Sequence, residues 1–366
     1  MKTVVILGNH HVVLYNFRKE IIERLIREKY RVVTALPYTK EAEKLKELGC
    51  EIIDIPVARR GTNPITDFKL FLRYRKLLKQ ENPDIVYTYT IKPNIYGGMA
   101  CRLLKIPYLV NITGLGSAME GEGVLQKITS FLYRIAVKKA DCIFFQNEMN
   151  RQVFTKRNIH GKAEELLPGS GVNLEHFAYS DMPKKETTEF VYISRVMKEK
   201  GIEQYLKAAD RIRRKYPNTK FHILGFCEEE YEERLKDLQA QGIIEYHGMQ
   251  EDVRVFLKEA HCLVHPSYYP EGMSNVCLEA AACGRAVITT KRYGCKETVE
   301  DGVTGYLVDE KDTGQLADRI ERFILLSDKE KQEMGQNARR KMEREFDRNQ
   351  IVEAYMKRTS SIPKRK

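Results

Sequence analysis

This chain contains no long apolar run. Nothing in it approaches the ~20 consecutive apolar residues of a membrane-spanning helix. Its opening, MKTVVILGNHH, lacks the basic region and long apolar core of a secretory leader and reads as a buried strand that begins the fold. Paired cysteines are also missing: Cys50, Cys101, Cys142, Cys227, Cys262, Cys277, Cys283 and Cys295 are scattered, with no CxxC among them. That pattern argues against a zinc site or disulfide framework and for reduced thiols in the cytosol. There is no short-period repeat and no low-complexity tract, and only 364–366 has the character of a frayed tail.

What is there suits a globular protein: 366 residues, 42% hydrophobic and 31% charged, enough for two domains. The net charge of +11 is uneven. Residues 1–180 carry 28 Lys and Arg against 18 Asp and Glu, whereas 181–366 carry 34 against 33. A basic half points to an anionic partner, be it nucleic acid, acidic lipid or a phosphorylated substrate. No nucleic-acid reading module and no RNP-like aromatic strand accompany the charge, so nucleic acid is not expected.

Short β-branched runs alternate with helix-period stretches. Residues 3–7, 31–36, 51–57, 84–89, 108–112 and 141–146 read as strands, with helices over 16–28, 40–48 and 67–80 between them. The pattern restarts with strands at 189–193, 220–224, 243–247, 262–265 and 286–290 and helices at 202–216 and 229–241. A Gly-, Ser- and Pro-rich stretch, 167–183, is the natural joint. The prediction is α/β: two facing doubly wound domains, with ligands at strand C-termini in the cleft.

The most informative segment is HPSYYPEGMSNVCLEAAACGRAVITT, 265–290. A strand ends, a loop carries Glu271 and Gly272, and a helix begins near Ser274 and Asn275, whose free amides would attract an anion. Glu271 and Glu279 would grip hydroxyls of a sugar and of a ribose. Two glutamates eight apart also suit a solvated surface helix. The second element, 194–201, places Arg195 and Lys200 after the second half's first strand, as a fork and a mobile point charge for phosphate oxygens or as an ordinary basic turn. A third, Gly248-Met249-Gln250, would lend backbone contacts to a base.

Arg195, Lys200 and Glu271–Glu279, in that order, resemble the family 4 retaining glycosyltransferases of GT-B fold. The sequence is more particularly similar to bacterial enzymes that build capsule, O-antigen or lipid-linked oligosaccharides, with lipid-diphosphate galactosyl- and N-acetylgalactosaminyltransferases as the nearest kind. The likeness extends through Lys92-Pro93 with Gly97, Gly114-Leu115-Gly116-Ser117, Gly171-Val172-Asn173 with Phe177, Glu297 with Gly302 and Gly305–Val308, and Phe346 with Tyr355. It implies a GT-B protein with a deep interdomain cleft, an acceptor-binding domain of 1–170 plus a returning helix 346–366, and a nucleotide-sugar domain of 171–345. It further implies that Arg195 and Lys200 bind a donor diphosphate and Glu279 the ribose. Glu271, with the amides of Gly272, Met273, Ser274 and Asn275, would orient the donor sugar. Gly8 and Asn9 face the leaving group.

Many members carry a His where this sequence has Asn111-Ile112-Thr113-Gly114. Neither Asn111 nor Thr113, placed with Lys92, His10 and His11 on the acceptor side, replaces a base at neutral pH. No protein base is assigned, and the departing phosphate takes the acceptor's proton. His10 and His11 read equally as loop histidines satisfied by backbone. No HExxH or Asp-x-Asp pair is present, so no metal or other cofactor is expected. Two basic amphipathic segments, 67–80 and 123–139, either pack on their own sheet or lie on an anionic membrane surface. The expected activity is transfer from a UDP-sugar to a polyprenyl diphosphate-linked glycan, in the cytoplasm or on the inner membrane's cytoplasmic face. The alternatives are a GT-B-fold sugar-nucleotide epimerase or hydrolase, or a non-catalytic nucleotide-binding subunit.

Overall fold

The structure, a computed structural model, describes residues 1–58, 61, 63–116, 119 and 123–365; Ser117 and Lys366 lie outside the described residues. The chain forms two units, Met1–Gly171 with Pro270–Met273 and Arg348–Lys366, and Val172–Tyr269 with Ser274–Asp347. From the sequence, Glu271, Gly272 and Met273 are expected in the second domain. They group with the first because Asn147 Nδ2 donates to the carbonyls of Glu271 (3.2 Å) and Gly272 (2.6 Å).

In the first unit the elements run β1 (Thr3–Leu7), α1 (His11–Arg27), β2 (Arg31–Leu36), α2 (Glu43–Glu47), β3 (Glu51–Asp54), α3 (Pro64–Glu81) and β4 (Ile85–Tyr89). A π-helical turn (Pro93–Gly97) then leads to α4 (Gly98–Leu104), β5 (Tyr108–Ile112), α5 (Val124–Val137), β6 (Cys142–Phe145), α6 (Glu148–Lys156) and β7 (Glu164–Leu166). The strands are parallel in the order β3-β2-β1-β4-β5-β6-β7. Val4, Val5, Ile6 and Leu7 are all fully buried, so the central strand shows no in–out alternation: apolar clusters cover both sheet faces. The last helix, Arg348–Ser360, belongs to this unit. Its Tyr355 hydroxyl donates to Asn111, its ring packs on Phe144 (4.6 Å), and Arg348 pairs with Glu20 (3.0 Å).

The second unit holds β8 (Thr188–Ile193), α7 (Ile202–Lys215), β9 (Thr219–Leu224), α8 (Glu232–Ala240), β10 (Glu245–Tyr246), α9 (Arg254–Glu259), β11 (Cys262–His265), α10 (Asn275–Ala282), β12 (Ala286–Thr290), β13 (Gly305–Val308), α11 (Thr313–Ile324) and α12 (Asp328–Glu345). Its parallel order is β10-β9-β8-β11-β12-β13. Both sheets are doubly wound. The strand order reverses between β1 and β4 in the first and between β8 and β11 in the second, and loops leaving such paired strands are where doubly wound sheets bind ligands.

All eight cysteines are free thiols, seven of them buried. His261, 4% exposed before β11, accepts a hydrogen bond from the Glu189 amide on Nδ1 (3.0 Å). Burial, with Lys331 adding to it, pulls its imidazole down to about 4 from 6.5. A buried neutral histidine with a depressed value stabilises the fold above pH 6.5, and that stability drains away as pH falls towards 4. Urea melts should therefore lose up to about 3 kcal/mol across this window. In His261→Asn, weaker at pH 7, this loss should flatten; an unchanged pH slope would count against the assignment.

Candidate active site

In the second unit, the loops after β8 and β11 flank the switch point, and they are locked together. Val196 N–H donates to Phe226 (2.9 Å) and Glu228 N–H returns to Val196 (3.0 Å), zipping 194–200 to the loop after β9. Tyr268 N–H donates to the Glu199 carbonyl (2.9 Å). Gly201, at φ +78°, starts α7 so close to β11's exit that a Cβ there would collide with the Pro266 carbonyl; only glycine combines that approach with that backbone. The result brings both predicted cations over one ring. Arg195 lies 5.4 Å and Lys200 Nζ 4.7 Å from the centroid of Tyr269. Lys200 is 8% exposed, and Arg195 pairs with Glu228 at 3.1 Å. Tyr269 and Glu228 carry no motif spacing that would mark them in the sequence.

The start of α10 differs from expectation. Ser274 occupies the cap position, yet its side chain makes no capping bond. Its backbone N–H is spent on the Gly294 carbonyl (2.7 Å), so one of the four amides expected to meet an anion is unavailable to it. Gly294 is held in turn by Glu297, which accepts its N–H at 2.7 Å; burial pushes that carboxyl up, against the pull of the backbone N–H groups. Ser274 Oγ and Asn275 Oδ1 are buried without a partner among the described residues, oxygens that a ligand's hydroxyl or N–H would satisfy. Glu279 follows Asn275 by one turn and shares its face. Gly248, at φ +65°, gives its carbonyl to Gly225 (2.8 Å), and Met249 is 73% exposed.

In the first unit the switch-point loops carry Gly8–His11 and Lys92. His10 is the N-cap of α1, its Nδ1 accepting from Val12 N–H (3.3 Å). His11 opens the helix, lies 4.3 Å from His10 ring to ring and bonds Thr39 Oγ1 (2.9 Å); burial lowers its imidazole. Gly8 N–H joins β2 through Ala35 (3.0 Å), with Asn9 beside it. Two residues expected on the acceptor side, Lys92 and Asn111, have their polar groups engaged within the first unit. Lys92 is tied to Asp67 at 2.7 Å, both largely buried. Asn111, 2% exposed, donates to the Thr88 carbonyl (3.0 Å) and accepts from Tyr355, so its amide is consumed inside the core. Thr113 stays half-buried with its carbonyl against Gly272, where a Cβ would collide with it.

The two basic helices resolve unexpectedly. α3 buries Leu70, Tyr74, Leu77 and Leu78 but leaves Ile65, Phe68 and Leu72 outward. α5 buries Tyr133, Ala136 and Val137 in its second half, but in its first half Thr129 and Ser130 are buried while Val124, Leu125, Ile128 and Phe131 are 45–73% exposed. Between them lies a groove of about 810 Å³ whose walls include Phe68, Phe71, Met99, Leu103 and Ile128. No helix among the described residues is long and apolar enough to cross a membrane.

Two parallel doubly wound sheets, one with Arg195 and Lys200 side by side at its switch point, define an α/β protein of the doubly wound class. Residues 4–147 match the model of glycosyl transferase 4-like proteins and 180–341 that of glycosyl transferases group 1. The chain belongs to the glycosyltransferases that join these two domains, and its fold is GT-B. It is 27% identical over 361 residues, covering 94% of both chains, to an N,N'-diacetylbacillosaminyl-diphospho-undecaprenol alpha-1,3-N-acetylgalactosaminyltransferase of Campylobacter jejuni. It is 27% identical over 315 residues, 80% of this chain and 79% of the other, to a UDP-Gal:alpha-D-GlcNAc-diphosphoundecaprenol alpha-1,3-galactosyltransferase of Escherichia coli. The crystal structure of Anabaena HepE in complex with UDP and glucose superposes with TM-score 0.80 at 16% identity, over 99% of this chain and 100% of that one.

Proposed function

We propose that this glycosyltransferase moves a hexose or N-acetylhexosamine from a UDP-sugar to a polyprenyl diphosphate-linked glycan, with retention and without a metal, at an anionic membrane surface. The observation that carries the reading is the convergence of Arg195 and Lys200 on Tyr269 at the switch point, a ready counter-charge for a diphosphate. In this reading Glu279 takes the ribose, Glu271 with Gly272 and Met273 takes the donor sugar, and Gly248 and Met249 border the base. The anomeric carbon–phosphate oxygen bond breaks as Arg195 and Lys200 stabilise the charge left on UDP. The acceptor hydroxyl oxygen bonds the same face of that carbon, and its proton passes to the departing phosphate.

The lipid side of the reading is supported by the outward apolar residues of α3 and α5. Exposed Lys69, Arg73 and Lys76 lie on α3, with Lys138 and Lys139 just after α5, an arrangement that suits an interfacial surface. A UDP-sugar panel assayed against undecaprenyl-linked acceptor in anionic vesicles, with product linkage read by NMR, tests this. One donor should be transferred with its anomeric configuration kept. Phe68→Ser/Phe131→Ser should slow transfer on vesicles about tenfold or more but spare a short-chain soluble acceptor, since two exposed phenyl groups are worth a few kcal/mol at an interface. UDP release at full rate without acceptor would instead make the protein a hydrolase.

A further inference from the structure

On the edge of the second sheet, just before the Gly248–Met249 turn, three side chains converge to which the transfer reaction assigns no role. Glu245 on β10 is the register partner of His222 on β9, and His247, two residues on, falls on the same side as Glu245. His222 Nδ1 lies 3.1 Å from His247 Nε2 and 3.3 Å from Glu245 Oε2. The three donor atoms all fall within 4.8 Å of one another. Tetrahedral zinc, with bonds of about 2.0–2.1 Å, holds neighbouring donors about 3.3 Å apart. Two of the three edges already have that length.

The surroundings match a metal site as well. His222 Nε2 faces Glu189 Oε2 at 3.3 Å, and Lys185 holds that carboxylate at 3.2 Å. A carboxylate on the far nitrogen of a ligating imidazole fixes the tautomer and ring direction. With its Nε2 proton pointed at Glu189, Nδ1 turns a lone pair towards both Glu245 and His247. A single proton there can serve only one of those contacts, whereas a divalent cation serves all three donors. The ring of His247 is braced by Phe256 at 4.8 Å. The competing cation is Lys220, 3.2 Å from the other Glu245 oxygen but 47% exposed and able to swing away.

We infer that His222, Glu245 and His247 bind one divalent transition-metal ion of the zinc class, with Glu189 as the outer carboxylate. The ion staples β10, two residues long, to β9, and so steadies the turn that begins at Gly248 immediately after His247. Its role is structural, and the transfer chemistry stays with Arg195 and Lys200.

The test uses the full chain freed of metal by a chelator and then titrated with Zn2+ by calorimetry, with thermal melts alongside. Wild type should take up one equivalent and melt several degrees higher with zinc. His247→Gln and Glu245→Gln should lose at least about tenfold in affinity, and Glu189→Gln about tenfold through the outer shell. Cys227→Ser, which removes the least buried thiol, should bind as wild type does. Metal-free melts of each variant matching metal-free wild type separate lost binding from lost folding. Zinc heats and melting shifts identical in wild type and His247→Gln, or no zinc uptake by wild type, would overturn the site.

Discussion

Lys200→Ala and Arg195→Ala are each expected to lower kcat by about 10²–10³, with a smaller change in KM. The reason is where the charge develops. A diphosphate already carries negative charge in the ground state, but the oxygen that leaves the sugar gains most of its charge as the bond breaks. A cation held in place is worth most at that moment. Lys200 is held in place: it is 8% exposed, its loop is fixed by Gly201 against Pro266, and its ammonium sits over Tyr269. Arg195 is oriented by Glu228 and the same ring. If both act on one leaving group, as proposed, the double variant should lose less than the product of the single losses. Arg195→Lys should recover only part, since a point charge cannot reproduce a fork. Steady-state kinetics on the donor identified in the UDP-sugar panel decides it. Unchanged kcat in both single variants would remove these residues from the reaction.

Arg285→Ala should cost about 3–5 kcal/mol, a large share of the 5–15 kcal/mol by which such domains are stable. Arg285 is fully buried where α10 runs into β12, and its partners are backbone carbonyls and the Ser180 hydroxyl rather than a carboxylate. Nε donates to Leu257 (2.7 Å), one terminal nitrogen to Ser180 (2.9 Å), the other to Asp181 (3.1 Å) and Lys258 (3.2 Å). One guanidinium thus closes the C-terminal end of α9 and the chain entering this unit. Alanine would leave several buried carbonyls without donors and a cavity the size of the side chain. Arg285→Lys should rescue little, because one ammonium cannot reach acceptors spread around a plane. Equilibrium urea unfolding at pH 7.5 measures it; a loss under about 1 kcal/mol would show that water replaces the missing donors.

How much of this could be read in advance differs from one residue to the next. The strands at 3–7, 31–36, 108–112, 262–265 and 286–290 coincide with the structure because an apolar β-branched run is itself the cause of burial between two helical layers. β7 is missed because Glu164–Leu166 offers no such run, and β3 stops at Asp54 although its apolar character continues. The start of α1 is misplaced at Asn16 because a histidine, His10, does the capping usually left to Ser, Thr, Asp or Asn. Lys92 and Asn111 looked available from their motif positions. Their partners, Asp67 and Tyr355, lie 25 and 244 residues away, and no spacing rule reports that.

By itself, then, the sequence determined the alternation of strand and helix, the two-domain α/β class and the residue types able to meet a diphosphate. Each of these follows from local periodicity and side-chain chemistry. Only the tertiary structure decided that Arg195 and Lys200 share Tyr269, that Arg285 is a buried clasp, that the first half of α5 turns apolar residues outward, and that His222 meets Glu245 and His247. Those outcomes depend on strand order and register, which bring together segments far apart along the chain and which a local pattern does not contain.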